Sequence, residues 1–318
     1  MKLHENTEAF QDAIRATSDF LEIREVFIEK DYWVTFMLWR LANSEFTDKV
    51  VFKGGTSLSK VYKLIERFSE DIDLAILKSN GQTETQVRRL IRKIEKKLTK
   101  GFNEVFIDDI TSKQTKFRKT AYDYARVFEP DSESGIQEKL ILEINSFANP
   151  VPYKSLKVNS LIADFFVNSN KEKSISQYGL EGFNLNILIP ESTLIEKLLS
   201  LVRLSFYEDS IEKLRAKVRH FYDIYFLSKS DYCKDYIQTD EFVEQFKSML
   251  VEDKNKFNDP ENWLNSSYTE SPVFVNFDEV WNQLKDTYNT EFRSLVQGEF
   301  PNEKLIAKEV KGVISILT

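Results

Sequence analysis

Apolar residues near the start of the chain recur at helical spacing. In "REVFIEKDYWVTFMLWRLAN", Val26, Phe27, Tyr32, Trp33, Phe36, Met37 and Leu41 fall near a 3.6-residue period, and residues 7 to 43 read as two helices that form a buried brace. The pattern then changes. "KVVFKGG" is a short apolar strand stopped by glycines, "SLSKVYKLI" a short helix, and "DIDLAIL" an alternating strand, giving the order strand, glycine turn, helix, strand. "TETQVRRLIRKIEKKLTK" predicts an amphipathic helix with Val87, Leu90, Ile91, Ile94 and Leu98 on one face. Three strand-like runs follow, "FNEVFIDDI", "TAYDYARVF" and "KLILEINSF"; in the last, Leu140, Leu142 and Ile144 alternate against Ile141, Glu143 and Asn145. Between Asn149 and Pro190 the signals are short and broken by turn residues, which predicts irregular structure with one or two small strands. Beyond Pro190 the runs "ESTLIEKLLSLVRLSF", "SIEKLRAKVRHFYDIYFLSKS", "TDEFVEQFKSMLVED", "FDEVWNQLKDTYNTEFRSLV" and "NEKLIAKEVKGVISIL" all predict helices, most with a Ser, Thr, Asn or Asp at the first turn.

Composition narrows the chemistry. With 318 residues, 42% hydrophobic and 30% charged, the chain can bury one large core or two ordinary ones. It has no apolar run of membrane-spanning length, and its N-terminal residues lack the pattern of a secretion signal, so a cytoplasmic, unprocessed protein is expected. A single cysteine, Cys233, excludes an internal disulfide, and with only His4 and His220 beside it no sulfur–imidazole zinc cage can form. Any metal must therefore be held by oxygen, which favours magnesium, manganese or calcium. The net charge of −7 is unevenly spread: residues 231 to 303 contain sixteen acidic and six basic residues, a balance of −10, which leaves about +3 for the rest. Nucleic acid is thus not excluded from the first two thirds.

The stretch "VVFKGGTSLSKVYKLIERFSEDIDLAIL" gathers the candidate chemistry. On a strand, Asp71 and Asp73 share one face while Ile72 and Leu74 face the core, with Cα atoms roughly 6.5–7 Å apart. Side-chain convergence can adapt that spacing to two divalent ions about 3.5–4 Å apart, as in-line phosphoryl or nucleotidyl transfer uses. An isolated pair of this kind can equally be an acidic strand edge. The turn changes the balance: Gly54 and Gly55 let the backbone approach a ligand, Thr56 and Ser57 add hydroxyls, and a helix start favours phosphate.

The GG(S/T) turn followed by a DxD strand resembles the core of the DNA polymerase β-like nucleotidyltransferases. The fuller pattern "FKGGTSLSK...RFSEDIDL" resembles the nucleotidyltransferase AbiEii/AbiGii toxin family within that superfamily. The likeness extends to "EKDYWV" upstream and to "PESTLIEKLLSLVRLSF" and "RHFYDIYFL" downstream, over about residues 25 to 230. It implies an α/β (α+β) fold: a polymerase β-like core with a small mixed sheet and N-terminal helical brace over 1–189, and a helical C-terminal region over 190–318 that completes the cleft. It also implies that Asp71 and Asp73 bind Mg2+ (or Mn2+). Gly54, Gly55, Thr56 and Ser57 then form the nucleotide-phosphate turn, with Lys60, Arg67 and Ser69 as polar residues around it.

Other positions carry two readings each. Superfamily members place a third carboxylate beside the aspartate pair, and Glu143 suits that place, as a metal ligand or as the base that takes the acceptor's proton; otherwise it is a glutamate at a sheet margin. Lys197 and Asp223 match polar positions of the family, where the lysine would neutralise pyrophosphate; the alternative is a Lys–Asp bridge between helices. His220 reads as a surface or packing histidine, and Lys30, Asp31 and Tyr32 as a brace. The basic helix carries Arg88, Arg92 and Lys96 among seven cations with Glu95 nearly alone against them; it is a solvated face or an RNA-backbone contact.

The resulting expectation is a Mg-dependent nucleotidyltransferase toxin of a bacterial toxin–antitoxin or phage-defence (abortive infection) system. It would transfer a nucleoside monophosphate from NTP to an RNA acceptor, transfer RNA first, with release of pyrophosphate. Its partners would be the NTP, the acceptor RNA and an antitoxin encoded alongside. Transfer to a protein or small-molecule hydroxyl, and a non-catalytic nucleotide-binding module, are the rivals.

Overall fold

The computed structural model describes residues 1–69, 71–108, 110–129, 138–147 and 150–318. Glu70, Asp109 and Asn149, which fall in stretches read above, lie outside the described residues. The chain folds as two compact units, one formed by Met1–Lys63 and Phe68–Leu188, the other by Leu64–Arg67 and Ile189–Thr318.

The first unit is built on a mixed sheet. Its strands are β1 (Val50–Lys53), β2 (Asp71–Ile76), β3 (Glu104–Val105), β4 (Ser112–Lys113), β5 (Phe117–Tyr122), β6 (Leu140–Asn145), β7 (Tyr153–Val158) and β8 (Phe183–Leu188). They are ordered β3-β5-β6-β2-β1-β8-β7, with β4 also paired to β5. Among the described residues, "FNEVFIDDI" and its surroundings contribute the two short strands β3 and β4, and Phe106 is left 72% exposed. Ile72, Leu74 and Ile76 of β2 and Leu140, Leu142 and Ile144 of β6 enter one apolar cluster. The same cluster takes in residues of α1 (Thr7–Leu21) and α2 (Glu25–Ala42). After α3 (Gly54–Lys60), α4 (Glu84–Leu98) adds Val87, Ile91, Ile94 and Leu98 to it, behind a capping box between Thr83 and Gln86. Because side chains alternate along a strand, Asp71, Asp73 and Glu143 project from the opposite face of the sheet.

The stretch expected to be irregular is largely regular. Besides β7 and β8 it contains α5 (Leu161–Asn168) and α6 (Glu172–Tyr178). Ser160 caps α5 through the Ala163 amide, Ile162, Ala163, Phe165 and Phe166 are buried, and Gly179 ends α6 at φ +63. Helices of seven or eight residues make too few turns to show a period, so only their caps mark them.

The second unit is helical: α7 (Pro190–Leu204), α8 (Ser210–Arg215), α9 (Arg219–Lys229), α10 (Asp240–Lys256), α11 (Glu261–Asn265), α12 (Pro272–Val275), α13 (Phe277–Asn289) and α14 (Glu303–Ile316). The run expected as one helix from Ser210 breaks between α8 and α9. Three-residue hydrogen bonds, Lys217 N to Leu214 O and Val218 N to Arg215 O, tighten the chain there, and Leu214, Val218 and Phe221 are all buried. No helix among the described residues is long and apolar enough to cross a membrane.

Candidate active site

Strand pairing, rather than sequence proximity, assembles the carboxylates. β1 runs antiparallel to β2 with Lys53 opposite Asp73; β2 runs parallel to β6 with Asp73 opposite Glu143; β6 runs antiparallel to β5 with Glu143 opposite Lys119. One transverse row therefore reads Lys53, Asp73, Glu143, Lys119, with Lys119 Nζ 3.9 Å from Glu143 Oε2. Asp71 lies one step along β2 on the same face. The turn is fitted to this row. Gly54 starts α3 at φ +81, and a Cβ there would lie 2.2 Å from Asp73 Oδ2. Any other residue would meet both a disfavoured backbone angle and the carboxylate itself.

The row's charges work against each other. Burial raises the Asp73 carboxyl, Glu143 and then Asp71 raise it further, and the pull of Lys53 and Lys119 does not compensate, leaving it at about 7. Among the described residues no three His, Cys, Asp or Glu side chains are gathered closely enough to cage a metal ion. The donor chemistry nevertheless fits a hard divalent cation: oxygen ligands, and an aspartate whose ionisation its acidic neighbours oppose and a cation would favour.

The hydroxyls of the turn face inward. Thr56 donates to the Asp71 carbonyl at 2.6 Å and lies 3.0 Å from the Ser69 hydroxyl, and Ser57 donates to the Gly54 carbonyl at 2.9 Å. Thr56 fastens the turn to the aspartate strand, and Ser57 closes the turn on itself. Lys60 is also committed: its Nζ donates to Asp31 Oδ1 at 2.5 Å and to the Asn159 carbonyl at 3.0 Å, while Asp31 Oδ2 accepts from the Leu161 amide at 2.8 Å. The two residues before Asp31 act likewise. Glu29 accepts from the Val127 and Phe128 amides, with burial pushing its carboxyl up to about 7 against those bonds, and Lys30 donates to the Lys139 carbonyl at 2.5 Å. The tripeptide Glu29-Lys30-Asp31 thus ties α2 to four separate stretches of the first unit.

Arg67, Lys197 and Asp223 come together inside the second unit. Arg67 clasps Asp223 through Nε at 2.6 Å and Nη2 at 2.7 Å, and Lys197 Nζ lies 2.6 Å from Asp223 Oδ2. Asp223 is fully buried; that burial alone would raise its carboxyl, but the two cations prevail and hold it below the usual carboxylate range. Burial, aided by Lys197, keeps His220 well below the usual imidazole range; it stands 3.5 Å from Lys197 as a neutral neighbour.

Arg88, Arg92 and Lys96 are exposed on α4, which packs on the sheet face opposite the carboxylates. Glu95 does not oppose them. It is buried and accepts from Arg118 Nε at 2.7 Å, Thr120 Oγ1 at 3.1 Å and Tyr122 Oη at 3.3 Å. Sequence reading overlooked Lys53 and Lys119, the two cations that bracket the row. The alternation of "FRKTAY" marks Lys119 as a strand residue, but its partner is fixed only by the β5–β6 register.

Comparison with known proteins adds the family. The family described as "Nucleotidyl transferase AbiEii toxin, Type IV TA system" matches residues 37–306. No curated protein matches the chain at a significant level. Among solved structures, JHP933 from Helicobacter pylori is similar at 19% identity and a TM-score of 0.42, over 92% of this chain and 92% of that one. MenT4, a nucleotidyltransferase toxin from Mycobacterium tuberculosis, is similar at 15% identity and a TM-score of 0.45, over 97% of this chain and 98% of that one.

Proposed function

Because the chain belongs to the AbiEii nucleotidyl transferase toxin family, we propose that this nucleotidyltransferase toxin moves a nucleoside monophosphate from an NTP to the hydroxyl of an RNA acceptor, transfer RNA first. The observation that carries the reading is the register of β2 against β6, which sets Asp73 beside Glu143 and against the Gly54 turn.

Asp71 and Asp73 are the residues that would hold a divalent cation, magnesium or manganese. Such an ion supplies charge neutralisation at the phosphate oxygens and at the departing pyrophosphate. Gly54 and Gly55 keep the turn free of side chains so that the triphosphate can lie against its amides; Thr56, with Ser69, holds that turn in register with the aspartate strand, and Ser57 closes it on itself. The acceptor oxygen forms its bond to the α-phosphorus as the bond from that phosphorus to the bridging oxygen breaks, and pyrophosphate leaves. The acceptor's proton goes to Glu143. Glu143, set opposite Asp73 across β2 and β6, is the carboxylate placed for this role.

For Lys60, Arg67, Lys197 and Asp223, buried pairing supports bracing of the fold in preference to contact with the nucleotide. The family's place in type IV toxin–antitoxin systems supports an antitoxin partner encoded alongside. The test is to incubate the protein with each α-labelled NTP, total bacterial RNA and magnesium. Label is expected to enter RNA with wild-type protein and not with Asp73→Asn. Label entering protein or small molecules and never RNA would refute the acceptor assignment.

A further inference from the structure

The basic residues of α4 do not end with the helix. At its first turn, Glu84 is paired with Lys116 at 2.6 Å and also feels Lys78. Lys116 immediately precedes β5, and Lys113 lies across from Arg118 in the β4–β5 pairing. Along β5 the side chains alternate between the two faces of the sheet. Arg118 reaches Glu95 of α4 on one side, and Lys119 reaches Glu143 on the other. The edge carrying β4 and β5 is thus the place where the positive surface of α4 passes around the sheet to the carboxylate row.

From the geometry we infer that Lys113 and Lys116 join α4 to Lys119 in one basic belt, and that this belt is the track of an RNA sugar–phosphate backbone leading to the carboxylates. The inference rests on the reading of RNA as acceptor. The belt reconciles α4, on the far face of the sheet, with chemistry on the near face. The path runs roughly 18 Å along α4 from Glu84 to Lys96. A further stretch of roughly 10 Å along the strand separates Lys116 from Lys119. That span suits a folded RNA several nucleotides deep, whereas a free nucleotide or a small-molecule hydroxyl has no use for it. The acids present do not block the belt. Lys113 pairs with Glu104 and Lys116 with Glu84 at exposed sites, where ion pairs contribute little and exchange readily for phosphate. Glu95, the acid inside α4, is turned inward.

The test compares the full chain with two variants, Lys113→Gln/Lys116→Gln and Arg88→Gln/Arg92→Gln/Lys96→Gln. Binding is measured by fluorescence anisotropy over a salt series. One probe is a labelled RNA hairpin with a single-stranded 3′ tail; the other is a labelled tetranucleotide. Both variants are expected to weaken hairpin binding by roughly tenfold or more and to flatten its salt dependence, by about 1.5 to 2 in log–log slope for the two-lysine change. The tetranucleotide, too short to reach α4, should feel only the Lys113→Gln/Lys116→Gln change. NTP affinity should stay constant throughout. An unchanged Kd and slope for Lys113→Gln/Lys116→Gln overturns the belt, and if labelled nucleotide still enters RNA, the acceptor reading survives that failure. RNA bound along the belt but never labelled removes the acceptor reading and leaves the belt as an RNA-binding surface.

Discussion

Asp73 and Asp223 are both carboxylates set into the body of their units, and their surroundings drive them in opposite directions. Asp73 has Glu143 and Asp71 for neighbours and is raised to about 7; Asp223 has Arg67 and Lys197 and is held low. Burial penalises the charged form at both places, so the sign is decided by the nearest charges. The contrast separates a centre whose charge is complete from one whose charge is not. Asp223 is neutralised from within the chain. Around Asp73 three carboxylates, Asp71, Asp73 and Glu143, meet two lysines, Lys53 and Lys119, an excess of negative charge expected of a place that works with a bound cation.

The largest effect expected is on catalysis. Asp73→Asn should lower transfer by about a thousandfold or more, since several kcal/mol of charge stabilisation is lost. The same change should raise the thermal stability of the metal-free protein at pH 8. Neutralising a half-buried carboxyl that its neighbours oppose removes a cost, and a fall in stability would show that its charge is already balanced. Next is Arg67→Ala, which leaves a buried Asp223 with one cation in place of two and should destabilise the protein by about 3 kcal/mol, read by denaturant unfolding. Arg67→Lys should recover only part of this, because the two-pronged contact is lost. Gly54→Ala should cost about 2 kcal/mol through its left-handed backbone and push Asp73 aside; wild-type transfer by this variant would show that the close approach is dispensable.

The smallest effect is in pH dependence, and it sharpens the comparison. Asp223, lowered in the fold, gives stability that is present above the ordinary carboxylate range near pH 4 and lost as pH falls toward its folded value. Asp73, raised in the fold, works the other way: its penalty is absent below about pH 4 and grows as pH rises to 7. Asp73→Asn should therefore flatten the wild-type stability profile between pH 4 and 7 and leave the acid limb unchanged.

Local patterns made much of this legible. The alternation of "DIDLAIL", the glycines after "VVFK" and the apolar stripe of α4 each depend on residues a few positions apart, and each element formed where it was read. What stayed hidden depends on pairing between distant stretches. Nothing near Lys60 announces Asp31, and nothing near Arg67 announces Asp223, so the buried pairs these two cations make could not be read from the residues beside the turn. The row of Lys53, Asp73, Glu143 and Lys119 is likewise a matter of register across four strands, which the spacing along any one of them leaves undetermined.

Leu64–Arg67 belongs to the second unit although both its flanks belong to the first. Arg67 takes its partner from 156 residues further on and forms an antiparallel bridge with Val296. During synthesis, at about 5–20 residues per second, roughly 8 to 30 s separate the emergence of Arg67 from that of Asp223. Throughout that interval the tether between the glycine turn and the aspartate strand has no anchor at Arg67. A nascent chain released early would carry the turn and both aspartates but not the anchorage of the segment that joins them.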